Sequence, residues 1–214
     1  MNIEKTLKAL EKNNMETFFV KTKEEAKEKV EQLLAEGDSV SVGGSMTLFK
    51  CGIIDLLRSG KYNFSDRYNK ELTAEEREKV LRESFFADVF LTSSNAITEN
   101  GELYNVDGNA NRVAAMLFGP KTVIVVAGKN KIVKNLDEAA ARVKLTAAPM
   151  NTKRLSCQTF CEKEGHCVSQ NRTALGMTDG CASPDRICAD YVIMAHQRIK
   201  NRVKVIIIDE EVGY

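Results

Sequence analysis

Residues 122–128 read TVIVVAG, a near-continuous apolar and β-branched run closed by glycine. Its length suits a strand, and its lack of alternation means that both faces are covered, as at the centre of a parallel sheet. Upstream, 109–118 reads as a helix stopped by Gly119-Pro120, and downstream the stretch from Asp137 to Ala148 reads as another. A buried strand set between helices is the repeating unit of an α/β sheet.

The same alternation extends outward. ETFFVK at 16–21 is a strand candidate leading into a helix from Thr22, where Thr22 and Glu25 have capping-box spacing and Ala26, Val30, Leu33 and Leu34 share one face. Gly37-Asp38 closes that helix. SVSV at 39–42 is a second strand, ending at Gly43-Gly44, and a helix begins at Ser45 and runs, broken at Gly52, through Leu56-Leu57. Residues 60–72 lack periodicity and read as a connection. Thr73 and Glu76 open a further helix through about Glu83, and DVFLTSS at 88–94 is a buried strand by composition. YVIMAH at 191–196 and VKVIIID at 203–209 are the last strand candidates, with His196 a satisfied core residue of the former. The expectation is an α/β fold, a mostly parallel sheet with helices on both faces, in one domain over 1–214. A cysteine-bearing loop segment interrupts it at about 155–190.

Bulk composition excludes several function classes. The chain has 214 residues, 31 basic against 30 acidic, for a net charge of +1. Such a balance gives no electrostatic capture of nucleic acid or anionic membrane, so any anion site is local. No run approaches the ~18 apolar residues that span a bilayer. The N-terminal stretch MNIEKTLKALEKNNM is an amphipathic helix with Ile3, Leu7 and Leu10 on one face, not a secretion signal, and implies a cytoplasmic protein. The six cysteines are then reduced thiols or metal ligands rather than disulfides.

Two places suit an anionic small-molecule substrate. At the first, Gly43 and Gly44 permit positive φ and close approach, and Ser45 stands at a helix start whose free amides favour an anion. At the second, Gly108 and Asn109 precede a helix with Arg112 one turn in. Asp107 and Glu99 lie on the loops before it, as base or nucleophile candidates, although Asp107 suits a helix cap equally well. Asn100-Gly101 is a hairpin-turn signal, and Asn95 and Asn105 either orient a substrate or satisfy turn backbone. Cys51, beside an apolar helix, reads as a small buried hydrophobe. Cys157, Cys161, Cys167, Cys181 and Cys188 crowd one aperiodic segment beside His166, where soft ligands suit zinc or an iron–sulfur cluster.

Three stretches resemble the lactate-utilization (LUD) domain family: SVSVGGSMTL at 39–48; NAITENGELYNVDGNANRVAA at 95–115 with TVIVVAGKNKIV after it; and CASPDRICADYVI at 181–193 with the closing EEVGY. The resemblance covers nearly the whole chain in order. It implies a sheet like that of ribose-phosphate isomerases and CoA transferases, and a role in oxidising lactate to pyruvate. Other members carry a TPC motif upstream of the SPxRIC cysteines. Here Ser156-Cys157 stands for it, with Cys161 and Cys167 in an apparent insertion. On that alignment Cys157, Cys181 and Cys188 converge, and Cys161 or Cys167 supplies a fourth thiolate. Glu99-Asn100-Gly101 is similar to the segment around the nucleophilic glutamate of some CoA transferases. The chain shows no GxGxxG dinucleotide fingerprint and no ferredoxin-type cysteine run. A lactate-oxidising role therefore implies iron–sulfur protein subunits as electron acceptors, and a homo-oligomer is compatible with the sequence. The alternatives are a stand-alone isomerase or transferase on a phosphorylated or CoA-linked substrate, and a non-catalytic metal-binding subunit.

Overall fold

The computed structural model describes residues 1–171 and 176–214; of the 155–190 segment, 172–175 lie outside the described residues. In chain order the elements begin with α1 (Ile3–Lys12), β1 (Glu16–Val20), α2 (Lys23–Leu33), β2 (Ser39–Val42), α3 (Met46–Lys50), α4 (Ile53–Leu57) and β3 (Asn63–Phe64). There follow α5 (Ala74–Glu83), β4 (Val89–Thr92), β5 (Ala96–Thr98), β6 (Leu103–Asp107), α6 (Asn111–Phe118) and β7 (Thr122–Gly128). The chain continues through β8 (Ile132–Val133), α7 (Leu136–Arg142), α8 (Ala148–Leu155), α9 (Phe160–Glu164), β9 (Asp190–Met194) and β10 (Val203–Ile208).

Strand β7 sits inside a six-stranded sheet of order β1-β10-β7-β4-β2-β3, every pair parallel. Its side chains divide by pleat. Ile124 and Val126 join a core with Ala26, Val30, Leu48 and Ile53 from α2, α3 and α4. Val123, Val125 and Ala127 face the opposite way, onto Leu10 of α1 and Met116 of α6. This double burial is what the unbroken apolar run at 122–128 requires.

The second core also holds Ile97, Leu103, Ile132 and Met194. They belong to a small four-stranded sheet, β8-β5-β6-β9, that the sequence reading does not contain. Its β5–β6 hairpin and β6–β9 pair are antiparallel, and β5–β8 is parallel. The run at 191–196 thus joins this second sheet rather than the parallel one, and His196 lies beyond β9, exposed, beside Asn14. The outer face of the small sheet packs Ala96 and Tyr104 on Ala139, Val143 and Ala148.

Local signals account for most element boundaries. Thr73 and Glu76 close a full capping box, whereas Glu25 reaches back to the Lys21 amide while Thr22 caps Glu25. Gly52, at φ 65°, breaks the 46–57 helix in two. The helix expected over 137–148 runs further, Leu136 to Leu155, with a π-helical stretch at Val143–Ala147. Pro149 follows directly; lacking an N–H and crowding the preceding turn, it favours a local widening of the ladder. Helix α6 starts two residues later than expected, after Ala110 in the left-handed region. Among the described residues no helix is long and apolar enough to cross a membrane.

Candidate functional site

In a parallel sheet, ligands gather beyond the carboxyl ends of the strands. Here a solvent-open cavity lies there. Following the sheet order, its floor comes from Tyr214 in the tail after β10, Lys131 after β7, Ser93 to Asn95 after β4, Gly44 to Met46 after β2, and Arg67 after β3. The facing wall comes from 106–109 at the end of β6, Asn111 and Arg112 of α6, Asn151 and Arg154 of α8, and Ile187.

Of the residues singled out in the sequence, Gly44, Ser45, Asn95, Asp107, Gly108, Asn109 and Arg112 line this one cavity. Gly43 stands just behind it. Neither glycine takes a positive φ. Gly43 is needed for a different reason, since a Cβ there would meet Arg112 Cγ and Thr92 Oγ1 at 2.8 Å. Nothing lies within 4 Å of a Cβ on Gly44. Ser45 caps the short α3 by accepting from the Leu48 amide at 3.4 Å, and its own amide faces the Tyr68 hydroxyl, which donates to the Gly43 carbonyl.

Arg112 is 8% exposed, and its guanidinium is turned into the wall. Nε donates to Asp107 Oδ1 at 2.8 Å. Nη1 donates to the Ser93 carbonyl and Asn105 Oδ1, and Nη2 to Asn95 Oδ1 and Asp107 Oδ1. The other Asp107 oxygen accepts the Val113 amide at 3.0 Å, which caps α6 from upstream of the helix. Arg112 is thus the clamp that ties β4, β6 and α6 together, and Asn95 and Asn105 are parts of that clamp. The Asn105 side chain is fully buried, and its Nδ2 has no partner among the described residues.

Glu99 lies elsewhere. It accepts from the Asn2 amide and Lys5 Nζ against α1, and the Lys5 hydrogen bond is the main cause holding its carboxyl below the usual range. Gly101, at φ 80°, makes the hairpin turn, and a Cβ there would strike the Ala9 backbone at 2.5 Å. The Glu-Asn-Gly segment is a turn docked on a helix, outside the cavity wall.

The charged groups that face the cavity are ones the sequence reading passes over. Lys131 is 2% exposed, with Nζ donating to Ser93 Oγ at 2.9 Å and Thr47 Oγ1 at 3.1 Å. No carboxylate pairs with it among the described residues. Burial, reinforced by Arg142 and Arg112, pushes its amine well below the ordinary lysine range. Arg67 is half-buried, its guanidinium 5.7 Å from the Tyr68 ring, and burial lowers its pKa as well. Arg154, exposed, donates to Asn151 Oδ1. Three cations therefore face a space whose one lining side-chain carboxylate among the described residues, Asp107, is already paired with Arg112. Lys131 follows a buried strand directly, so the rule that flags Gly43 and Asp107 flags it too. Arg67 and Arg154 carry no comparable sequence signal.

The five clustered cysteines divide. Cys161, Cys167, Cys181 and Cys188 line a separate, smaller cavity, whereas Cys157 does not. Of the expected set of Cys157, Cys181 and Cys188 plus one other, Cys157 stands outside that lining. Cys51 is a buried core residue of the first cluster, its thiol pushed up to about 11 by burial.

Fold and cavity together define an α/β protein with a cationic cleft at the carboxyl edge of a parallel sheet. The family profile of the LUD domain matches residues 3–208, and the chain belongs to that family. A crystal structure of a DUF162 family protein from Deinococcus radiodurans shares the fold, with TM-score 0.52 at 15% identity, covering 96% of this chain and 95% of that one. The delta subunit of eIF2B from Chaetomium thermophilum is more distant, with TM-score 0.34 and 20% identity over 64% of this chain and 53% of that one. Among curated proteins none matches this sequence.

Proposed function

We propose that this LUD-domain chain binds a small organic anion in the cleft, and that it serves lactate-to-pyruvate oxidation together with iron–sulfur partner subunits that take the electrons. The carrying observation is Lys131, a buried amine without a carboxylate partner at the base of an open, cationic cleft. Burying an ammonium unpaired is costly. A ligand carboxylate within reach of Nζ removes that cost, so the empty cleft favours the neutral amine and the filled one the cation. Ser93 and Thr47, which accept from Nζ, hold it in place in both states. Oxidation of a 2-hydroxy acid also requires an acceptor for two electrons, which the partners supply.

A second reading has support from the charge of the cleft. Arg67 and Arg154 line it together with Lys131, more positive charge than one carboxylate needs, and suit a phosphorylated or CoA-linked acid. Asp107, with both oxygens engaged by Arg112 and Val113, is a poor nucleophile for such a transferase. Thermal-shift titration separates the readings. Lactate and pyruvate raising Tm with Lys131 intact, and not in Lys131→Met, support the first. A rise with acyl-CoA or sugar phosphate alone replaces it by the second, and no rise with any of them rejects both.

A further inference from the structure

The smaller cavity lies between α8, α9, the 3-10 turn at 168–171 and the segment entering β9. Four thiols from four separate points of the chain line it: Cys161, Cys167, Cys181 and Cys188. Each is held by identifiable contacts. Cys161 Sγ lies 3.4 Å from Thr159 Oγ1 and 3.5 Å from Thr152 Oγ1. The Cys167 amide donates to the carbonyl of Lys144 in the π-helical stretch, and Ser169 Oγ donates to Cys167 Sγ at 3.2 Å. Arg186 reaches the Cys181 and Cys188 carbonyls at 3.1 and 2.8 Å, clamping the last two thiols into one loop.

Thiols gathered this closely repel once ionised, and a bound cation relieves that repulsion. Lys144 and Arg186 also line the cavity and offer positive charge to an anionic centre, against a single carboxylate, Asp179. The Tyr104 hydroxyl, fully buried in the same cluster as Cys188, has no partner among the described residues. It is a spare donor in the layer beneath the thiols.

Two kinds of metal centre take four thiolates. Zinc draws four sulfurs to about 2.3 Å of one point. A four-iron cluster instead binds one cysteine at each of four separate irons, so its ligands stand around a volume. Four thiols spread around a cavity match the second arrangement.

We propose that Cys161, Cys167, Cys181 and Cys188 ligate one four-iron iron–sulfur cluster, and that Cys157 takes no part. Ile187 lines both this cavity and the anion cleft, and Gly108 of the cleft packs on its backbone, where a Cβ would come within 3.3 Å. The centre thus sits one residue away from the bound anion. The ligand assignment stands on the thiols alone; the meaning of that adjacency rests on the function proposed above.

The test is anaerobic purification of the full chain, with iron, zinc and acid-labile sulfide measured per chain and electron paramagnetic resonance recorded after reduction. The expected result is a brown protein with about four iron and about four sulfide per chain. Serine at Cys161, Cys167, Cys181 or Cys188 in turn removes most of the iron, and Cys157→Ser keeps it all. A colourless protein carrying zinc, a protein that stays metal-free after reconstitution, or a Cys157→Ser variant that loses as much iron as Cys181→Ser overturns the assignment. Far-UV circular dichroism shows whether each variant folds; where one does not, the metal and sulfide content of the wild type decides. Phosphate and lactate titrations of the same preparations keep the two readings apart, since a cluster without anion binding rejects only the cleft, and the converse only the cluster.

Discussion

Replacing Lys131 by methionine keeps the length of the side chain and removes its amine. In the empty protein that amine sits 2% exposed, facing Arg112 and Arg142 charge with two hydroxyls as its only partners. An unpaired buried polar group costs about 1–3 kcal/mol, and the two hydrogen bonds return about 1 kcal/mol net. Thr47 and Ser93 lose only an accepted bond, because their own protons face the Val212 and Ser94 carbonyls. Lys131→Met is therefore expected to stabilise the ligand-free fold by up to about 2 kcal/mol, or up to roughly 8 °C in Tm for a chain of this size. The pH dependence gives a second signature. A lysine whose folded pKa is depressed binds its proton more readily in the unfolded chain, so wild-type stability climbs with pH between that depressed value and about 10.4, by at most ~1.4 kcal/mol per unit. The methionine variant lacks this slope. Urea melts at several pH values measure both effects. A variant less stable than wild type, with the pH slope unchanged, would refute the reasoning and make Lys131 a structural cation.

The clamp and its surroundings make further predictions. Arg112→Ala leaves Asp107 buried and unpaired and is expected to cost about 3–5 kcal/mol in a urea melt, so any loss of ligand affinity must be read on a destabilised fold. Gly43→Ala forces a methyl into Arg112 Cγ and Thr92 Oγ1 and is expected to cost about 1–3 kcal/mol, whereas Gly44→Ala, which meets nothing, stays within about 0.5 kcal/mol of wild type. Glu99→Gln is expected to leave anion affinity unchanged, since its carboxylate serves α1; a tenfold loss would bring Glu99 into the site.

The parallel sheet was legible because its strands are buried on both faces and say so in composition, TVIVVAG and VKVIIID above all. The second sheet was not, because β5 and β8 have three and two residues, and such short pairs are set by tertiary contact rather than periodicity. The cleft was half legible. Rules about strand ends and helix starts located Gly44, Ser45, Asp107 and Asn109, but they assigned the ligand to Arg112, whose charge is consumed by Asp107. Periodicity cannot tell a cation that faces solvent from one that faces a carboxylate five residues earlier in the chain. Arg67 and Arg154 were invisible among 31 basic residues, since only folding gathers them. For the cysteines, spacing found the crowded segment, while only the folded chain shows which of them line one cavity.

The central claim is that an organic anion enters the cleft and recharges Lys131. Isothermal titration of lactate at pH 8, repeated in buffers of different ionisation enthalpy, tests it directly. Binding is expected with uptake of a fraction of a proton, with the uptake lost in Lys131→Met and the affinity weakened in Arg67→Ala. Absence of binding at tens of millimolar lactate, pyruvate and phosphate, or binding with no proton uptake that persists in Lys131→Met, contradicts it.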